Sequence, residues 1–199
     1  MAAFQPKKVY SLDDYLELEK NSEENFEYFG GTVWSMSGAS DDHNLIAMNL
    51  YIDVGAQLRQ EGCRTYSSDM RVKVPTCPPY RYPDLSAVFG KAEIEQLGGI
   101  DMLVNPQLII EILSETTEAF DRGDKFSYYK SIESFSEYLL IAQHRPHVTQ
   151  FVKQGDGFWI NTEANSLEET IEMKSVPCTL SLSAIYRGVE FGDLHPFSN

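Results

Sequence analysis

Cysteine is scarce in this chain: three in 199 residues, Cys63, Cys77 and Cys178, an odd number with no C-x-x-C spacing. A disulfide framework and a cysteine-based zinc site are therefore not expected, and a reducing compartment fits best. Long apolar runs are also missing, since no stretch reaches the ~18 uncharged apolar residues of a membrane span. Glycine and proline, 13 and 9 residues, are too few for a collagen-like chain or a disordered linker. The opening MAAFQPKKVYSLDDYLELEK carries two lysines but turns acidic where a secretory signal would turn apolar. These absences lead to the expectation of a cytoplasmic protein that does not associate with membranes. The largest shortage is of positive charge. Sixteen basic against thirty acidic residues give a formal net charge of −14, which repels nucleic acid and anionic membranes at long range.

What is present is enough for a core. With 42% hydrophobic residues and no repeat, low-complexity tract or linker, the expectation is a single domain spanning residues 1–199. The charge is unevenly spread. Between residues 59 and 91 stand six cations (Arg59, Arg64, Arg71, Lys73, Arg81, Lys91) and three acids (Glu61, Asp69, Asp84), so this segment alone is positive. A polyanion would approach there, with Arg71 and Lys73, alternating with Met70, Val72 and Val74, expected on the substrate side of a strand.

The pattern of elements is mixed α/β. Ser11 and Asp14 read as a capping box opening a helix over residues 12–20. Phe26–Phe29 and Thr32–Met36 flank Gly30-Gly31 as a hairpin. A long helix is expected from His43 to Gln60, with two apolar stripes, Leu45/Met48/Ile52 and Leu50/Val54/Leu58, ended by Gly62. Leu85–Phe89 and Leu108–Leu113, each preceded closely by proline, read as strands buried on both faces at the centre of a sheet, separated by a polar connection containing Gly98-Gly99. Helical spacing over 120–132 and a buried strand over 138–142 follow. Residues 148–152, 158–160 and 170–173 then read as a meander with a turn at Gly155-Asp156-Gly157, and 182–186 as a last short helix.

Packing does not explain Glu111. Alternation sets it between Ile109 and Leu113 in a strand whose two faces both look like core, where a carboxylate is costly unless paired or bound to metal. Asp84 opens the neighbouring apolar run. Two acids on adjacent strands can meet across the ~5 Å strand spacing and hold a hard divalent cation such as Mg²⁺. A loop cap for Asp84 and a buried cationic partner for Glu111 would account for the same residues.

Several strings, in order, resemble the Uma family of restriction endonucleases within the PD-(D/E)XK nuclease superfamily. They are Glu27-Tyr28 before Gly30-Gly31, His43, Ser68-Asp69-Met70-Arg71-Val72, Tyr82-Pro83-Asp84-Leu85, Pro106 to Ser114 around Glu111, Asp121-Arg122-Gly123-Asp124-Lys125 with Tyr129, and Glu137-Tyr138-Leu139-Leu140. The resemblance implies a restriction-endonuclease-like core: a mixed central β-sheet flanked by helices, here with an N-terminal helix-hairpin and a C-terminal β-meander. It implies Mg²⁺- or Mn²⁺-dependent hydrolysis of DNA phosphodiesters. Asp84 and Glu111 would be catalytic metal ligands, joined by the Ile112 carbonyl and by Glu27 from the N-terminal hairpin. The superfamily lysine two residues after this glutamate is replaced by Leu113, and the family's lysine on the following helix corresponds to Lys125. His43 would contact substrate, with Arg71 and Lys73. Cutting two strands with one site per chain favours a homodimer. The −14 charge and Leu113 are also compatible with a non-catalytic nuclease-like binding module, and the acidity with a metal-dependent hydrolase of a non-nucleic substrate.

Overall fold

The computed structural model describes residues 9–36, 38–75, 80–97 and 99–191, so Cys77 and Gly98 lie outside the described residues. Helix α1 (Leu12–Asn21) opens with both bonds of a capping box: the Ser11 hydroxyl accepts from the Asp14 amide, and the Asp14 carboxylate accepts from the Ser11 amide. Strands β1 (Phe26–Phe29) and β2 (Thr32–Ser35) pair antiparallel around Gly30-Gly31. Both glycines have positive φ, 56° and 81°, which suits the right-handed strand twist and is open to glycine at little cost. Helix α2 (Asp41–Gln60) is capped by Ser40, whose hydroxyl accepts from the His43 amide. Of its two expected stripes, Leu50, Val54 and Leu58 join Ile46 in the core, whereas Met48 and Ile52 are more than half exposed. One helix face can meet one sheet only, so the second stripe points outward.

The main sheet has six strands in the order β12-β11-β10-β9-β6-β3: β3 (Arg64–Ser67), β6 (Leu85–Val88), β9 (Leu108–Leu113), β10 (Glu137–Ala142), β11 (Val148–Lys153) and β12 (Trp159–Ala164). Only β9 and β10 are parallel; the other neighbours run antiparallel. The two apolar runs thus pair at the sheet centre as expected, with Leu85 opposite Ile110. Alternation sends Ile110 and Ile112 to the face covered by α2 and α5 (Leu182–Ile185), and Ile109 and Leu113 to the opposite face. That second face is covered by a helical segment, residues 118–129, built from α3 (Glu118–Phe120), a π-helical stretch (Asp121–Lys125) and α4 (Phe126–Tyr129).

Two expectations change. The polar connection after β6 is a hairpin, β7 (Ile94–Leu97) and β8 (Ile100–Leu103). Strand β8 runs parallel to β4 (Arg71–Lys73), which also pairs with the short β5 (Tyr80–Arg81), giving a second, four-stranded sheet. The meander stops at β12, because β13 (Thr170–Glu172) leaves the main sheet and pairs with β14 (Thr179–Ser181). Among the described residues no helix is long and apolar enough to cross a membrane.

Candidate active site

Strand β9 fixes Glu111 by register. It stands opposite Leu140 of β10 on the face covered by residues 118–129, only 3% exposed. The π-helical stretch decides what meets it there. An α-helix turns ~100° per residue, so positions i, i+4 and i+8 drift steadily around its axis. A π turn is wider and removes part of that drift, and Asp121, Lys125 and Tyr129 all face the strand. Lys125, 4% exposed, directs its ammonium to Glu111 Oε1 at 2.9 Å, Asp121 Oδ1 at 3.5 Å and Glu27 Oε1 at 3.6 Å, and donates to the Tyr82 carbonyl. The Tyr129 hydroxyl donates to the same Glu111 oxygen at 2.8 Å, and the Tyr138 hydroxyl donates to the Asp121 carbonyl.

Glu27 reaches this cluster from β1. Its carboxylate accepts from the Tyr82 amide at 3.0 Å and lies 3.5 Å from the Arg81 guanidinium. Arg81 is fully buried, donates to the Tyr28 carbonyl and lies over the Tyr128 ring. Asp84, directly before β6, borders the cluster on the other side. Its Oδ2 accepts from the Ile112 amide at 2.7 Å and its Oδ1 is 3.3 Å from His43 Nε2 in the first turn of α2.

The electrostatics follow from this crowding. Burial, opposed by Lys125 and reinforced by Asp121 and Asp84, pushes the Glu111 carboxyl well above its ordinary value. Burial likewise raises Asp121. Burial would lower Lys125, but Glu111, Asp121 and Glu27 more than reverse it and hold the ammonium protonated. For His43, burial opposes protonation and the Asp84 contact outweighs it, so its pKa is raised.

Asp84, Glu111, Glu27 and Lys125 are thus brought together, with His43 alongside. Arg71 and Lys73 are not. Arg71 is 2.5 Å from Glu19 of α1, in a buried network with the Tyr80 and Tyr82 hydroxyls. Lys73 pairs with Glu95 of β7. Strand alternation put both cations on one side of β4, but that side meets acids of this chain. Sequence reasoning did not single out Arg81, for which adjacency to Tyr82-Pro83-Asp84 was the sole signal, and it quoted Asp121 only within the motif that carries Lys125, four residues on, with which it pairs. Their convergence depends on the hairpin and on the π turn.

The cluster offers oxygen donors suited to a hard divalent cation. Three carboxylates (Glu27, Glu111, Asp121) surround Lys125, with Arg81 beside Glu27 and Asp84 paired with His43 at the border, so formal negative charge exceeds the two permanent cations unless a carboxyl or His43 holds a proton. Such an excess is costly without a further cation or proton. Among the described residues no three His, Cys, Asp or Glu side chains stand ready-made around a common point; the ammonium of Lys125 occupies the centre of the acids instead. In chemistry, though not in a preformed arrangement, Asp84, Glu111, the Ile112 carbonyl and Glu27 are the oxygen donors on which such an ion would draw.

Comparison with known proteins gives a consistent picture. The uncharacterized protein slr1290 of Synechocystis sp. is 30% identical over 188 residues, covering 94% of this chain and 96% of that protein. A second protein from the same organism, sll1609, is 30% identical over 165 residues, covering 83% and 93%. A crystal structure from Anabaena variabilis, described as "a putative nuclease belonging to DUF820", superposes with a TM-score of 0.69 over 88% of this chain and 96% of that one, at 17% identity, a likeness of fold. The model of the Uma2 family, described as "Putative restriction endonuclease", matches residues 12–184. With that span matched, the chain belongs to the Uma2 family.

Proposed function

We propose that the chain is a metal-dependent DNA endonuclease with a restriction-endonuclease-like core, working as a homodimer, whose reaction centre is the cluster of Asp84, Glu111 and Lys125. One observation carries this reading: a buried ammonium is surrounded by carboxylates that still exceed the local positive charge. Packing alone would favour apolar residues here.

Each side chain then has a task. Asp84 and Glu111, with the Ile112 carbonyl, would hold Mg²⁺ or Mn²⁺, and Glu27 would adjust the charge beside them. Bound there, the ion would lower the pKa of a water and offset charge on a phosphate oxygen. Lys125, held protonated by its acidic neighbours, contributes positive charge where negative charge develops on the phosphate. Tyr129 and Asp121 hold Glu111 and Lys125 in place. His43, fixed by Asp84, stands in the first turn of α2, where it can donate to a substrate oxygen.

The test is single-turnover cleavage of supercoiled and linear DNA with Mg²⁺ or Mn²⁺ at matched folded fraction. Glu111→Gln should abolish cleavage. Lys125→Met should lower the rate at least tenfold, about 1.4 kcal/mol of barrier, whereas Asp121→Asn should act chiefly on stability. Equal rates for wild type and Lys125→Met would remove the lysine from the chemistry. An inert wild type with either metal would favour the non-catalytic binding module.

A further inference from the structure

Of the six cations between residues 59 and 91, three are consumed internally: Arg71 by Glu19, Lys73 by Glu95 and Arg81 by Glu27. The positive character of that segment therefore rests on Arg59, Arg64 and Lys91. Arg59 and Arg64 are exposed, and their side chains make no ion pair or hydrogen bond among the described residues. Both line one groove of about 530 Å³ between α2 and the edge strand β3, together with Tyr51, Gly55, Thr65 and Tyr66. Two arginines without an internal partner, bordering one groove from α2 and from the edge strand, stand out in a chain with a net charge of −14.

One hydrogen bond links the wall of this groove to the backbone of Asp84. The Tyr51 hydroxyl, on the groove wall, donates to the Asp84 carbonyl at 2.9 Å and accepts from the Ser68 amide. Ser67 of β3 pairs with Leu85, the residue after Asp84. Arg64 lies three residues back along that strand, ~10 Å away, and Arg59 lies eight residues beyond Tyr51 along α2, ~12 Å away. Both arginines thus sit at a similar distance from the Asp84 end.

We propose that the groove between α2 and β3 is a phosphate-binding subsite, in which Arg59 and Arg64 hold the backbone of a DNA strand beyond the reacting phosphodiester. The inference rests on the DNA reading of the carboxylate cluster and adds to it where the strand runs. A guanidinium fork matches phosphate oxygens in charge and geometry.

The experiment measures binding of the full chain to a fluorescent 30-base-pair DNA duplex in EDTA, across a salt series, with cleavage of the same duplex in Mg²⁺ or Mn²⁺ measured separately. Arg59→Gln/Arg64→Gln should weaken binding about tenfold and reduce the log–log salt slope by about two, since each lost phosphate contact removes ~0.9 from it. Arg59→Lys/Arg64→Lys should keep the slope, and an equal charge change at two exposed cations elsewhere, Lys20→Gln/Arg145→Gln, should leave it unaltered. Matching thermal melts establish that all variants are folded. An unchanged slope in the glutamine pair, or an equal fall in the Lys20/Arg145 control, would overturn the subsite even if the wild type cleaves DNA. Binding with the expected slope change but no cleavage in either metal would overturn the nuclease reading and leave the groove as a DNA-backbone site. No binding by the wild type would overturn the groove outright.

Discussion

A lysine ammonium withdrawn from water costs several kcal/mol unless opposite charge stands in contact with it. Lys125 meets that condition three times over, so its proton is held firmly and it serves as fixed positive charge, unsuited to act as a base. Glu137 solves a similar problem without a cation. It is fully buried in β10, yet Oε2 accepts from the Lys174 amide, the Ser175 amide and the Ser175 hydroxyl, and Oε1 accepts from Gln150. These donors tie β10 to β11 and to the turn between β13 and β14. Glu137→Gln removes the charge from four charge-assisted bonds and should cost about 3 kcal/mol. A urea titration checks this, and a loss under about 1 kcal/mol would mean that the turn is held by other contacts. Glu137 was quoted from the sequence only as part of a motif, because a carboxylate at a strand start gives no sign of what loops back onto it.

At the scale of elements, the site depends on two local irregularities. The first is the π-helical stretch Asp121–Lys125, which aligns three side chains with one strand residue. The helical spacing of 120–132 was legible in the sequence, but a widened turn leaves no such pattern, since it is selected by what the helix packs against. The second is the hairpin that delivers Glu27. Its turn was legible in Gly30-Gly31, and the reason is steric. At Gly31 φ is +81°, and an added Cβ would come within 2.7 Å of Val9 Cγ1. Gly31→Ala should therefore destabilise the protein by about 1–2 kcal/mol and loosen Glu27 from Lys125. Thermal unfolding, with Gly30→Ala as a comparison where nothing lies within 4 Å of the added Cβ, separates the crowding from the backbone strain common to both positions. Equal losses at the two positions would assign the whole effect to φ.

For the whole molecule the governing quantity is charge. A net −14 concentrates part of its excess in the carboxylate cluster, so a divalent cation bound there should stabilise the fold. At a free concentration a hundred times its Kd, a ligand specific to the folded state contributes about 2.7 kcal/mol, and in a chain of this size that raises Tm by roughly 5–10 °C. Calorimetry in excess Mg²⁺ and in excess EDTA should show this difference for the wild type, and Glu111→Gln should lose most of it. Identical melting temperatures would mean that the cation does not bind there.

Apolar runs bounded by proline determined the central strands by themselves, because a strand buried on both faces needs no partner pattern to be recognised. The capping box of α1 and the glycine turn of the first hairpin were set just as locally, by hydrogen bonds and φ within a few residues. Glu111 was conspicuous for the same reason: a charge in an apolar run is an energetic anomaly wherever the strand ends up. Tertiary structure alone decided the rest. Which stripe of α2 entered the core, whether Arg71 met a substrate or Glu19, and whether the residues after β6 formed a connection or a second sheet each depended on segments distant in the chain. Pairing and charge compensation across such separations come from the summed packing of all the elements, and no local stretch of sequence carries that sum.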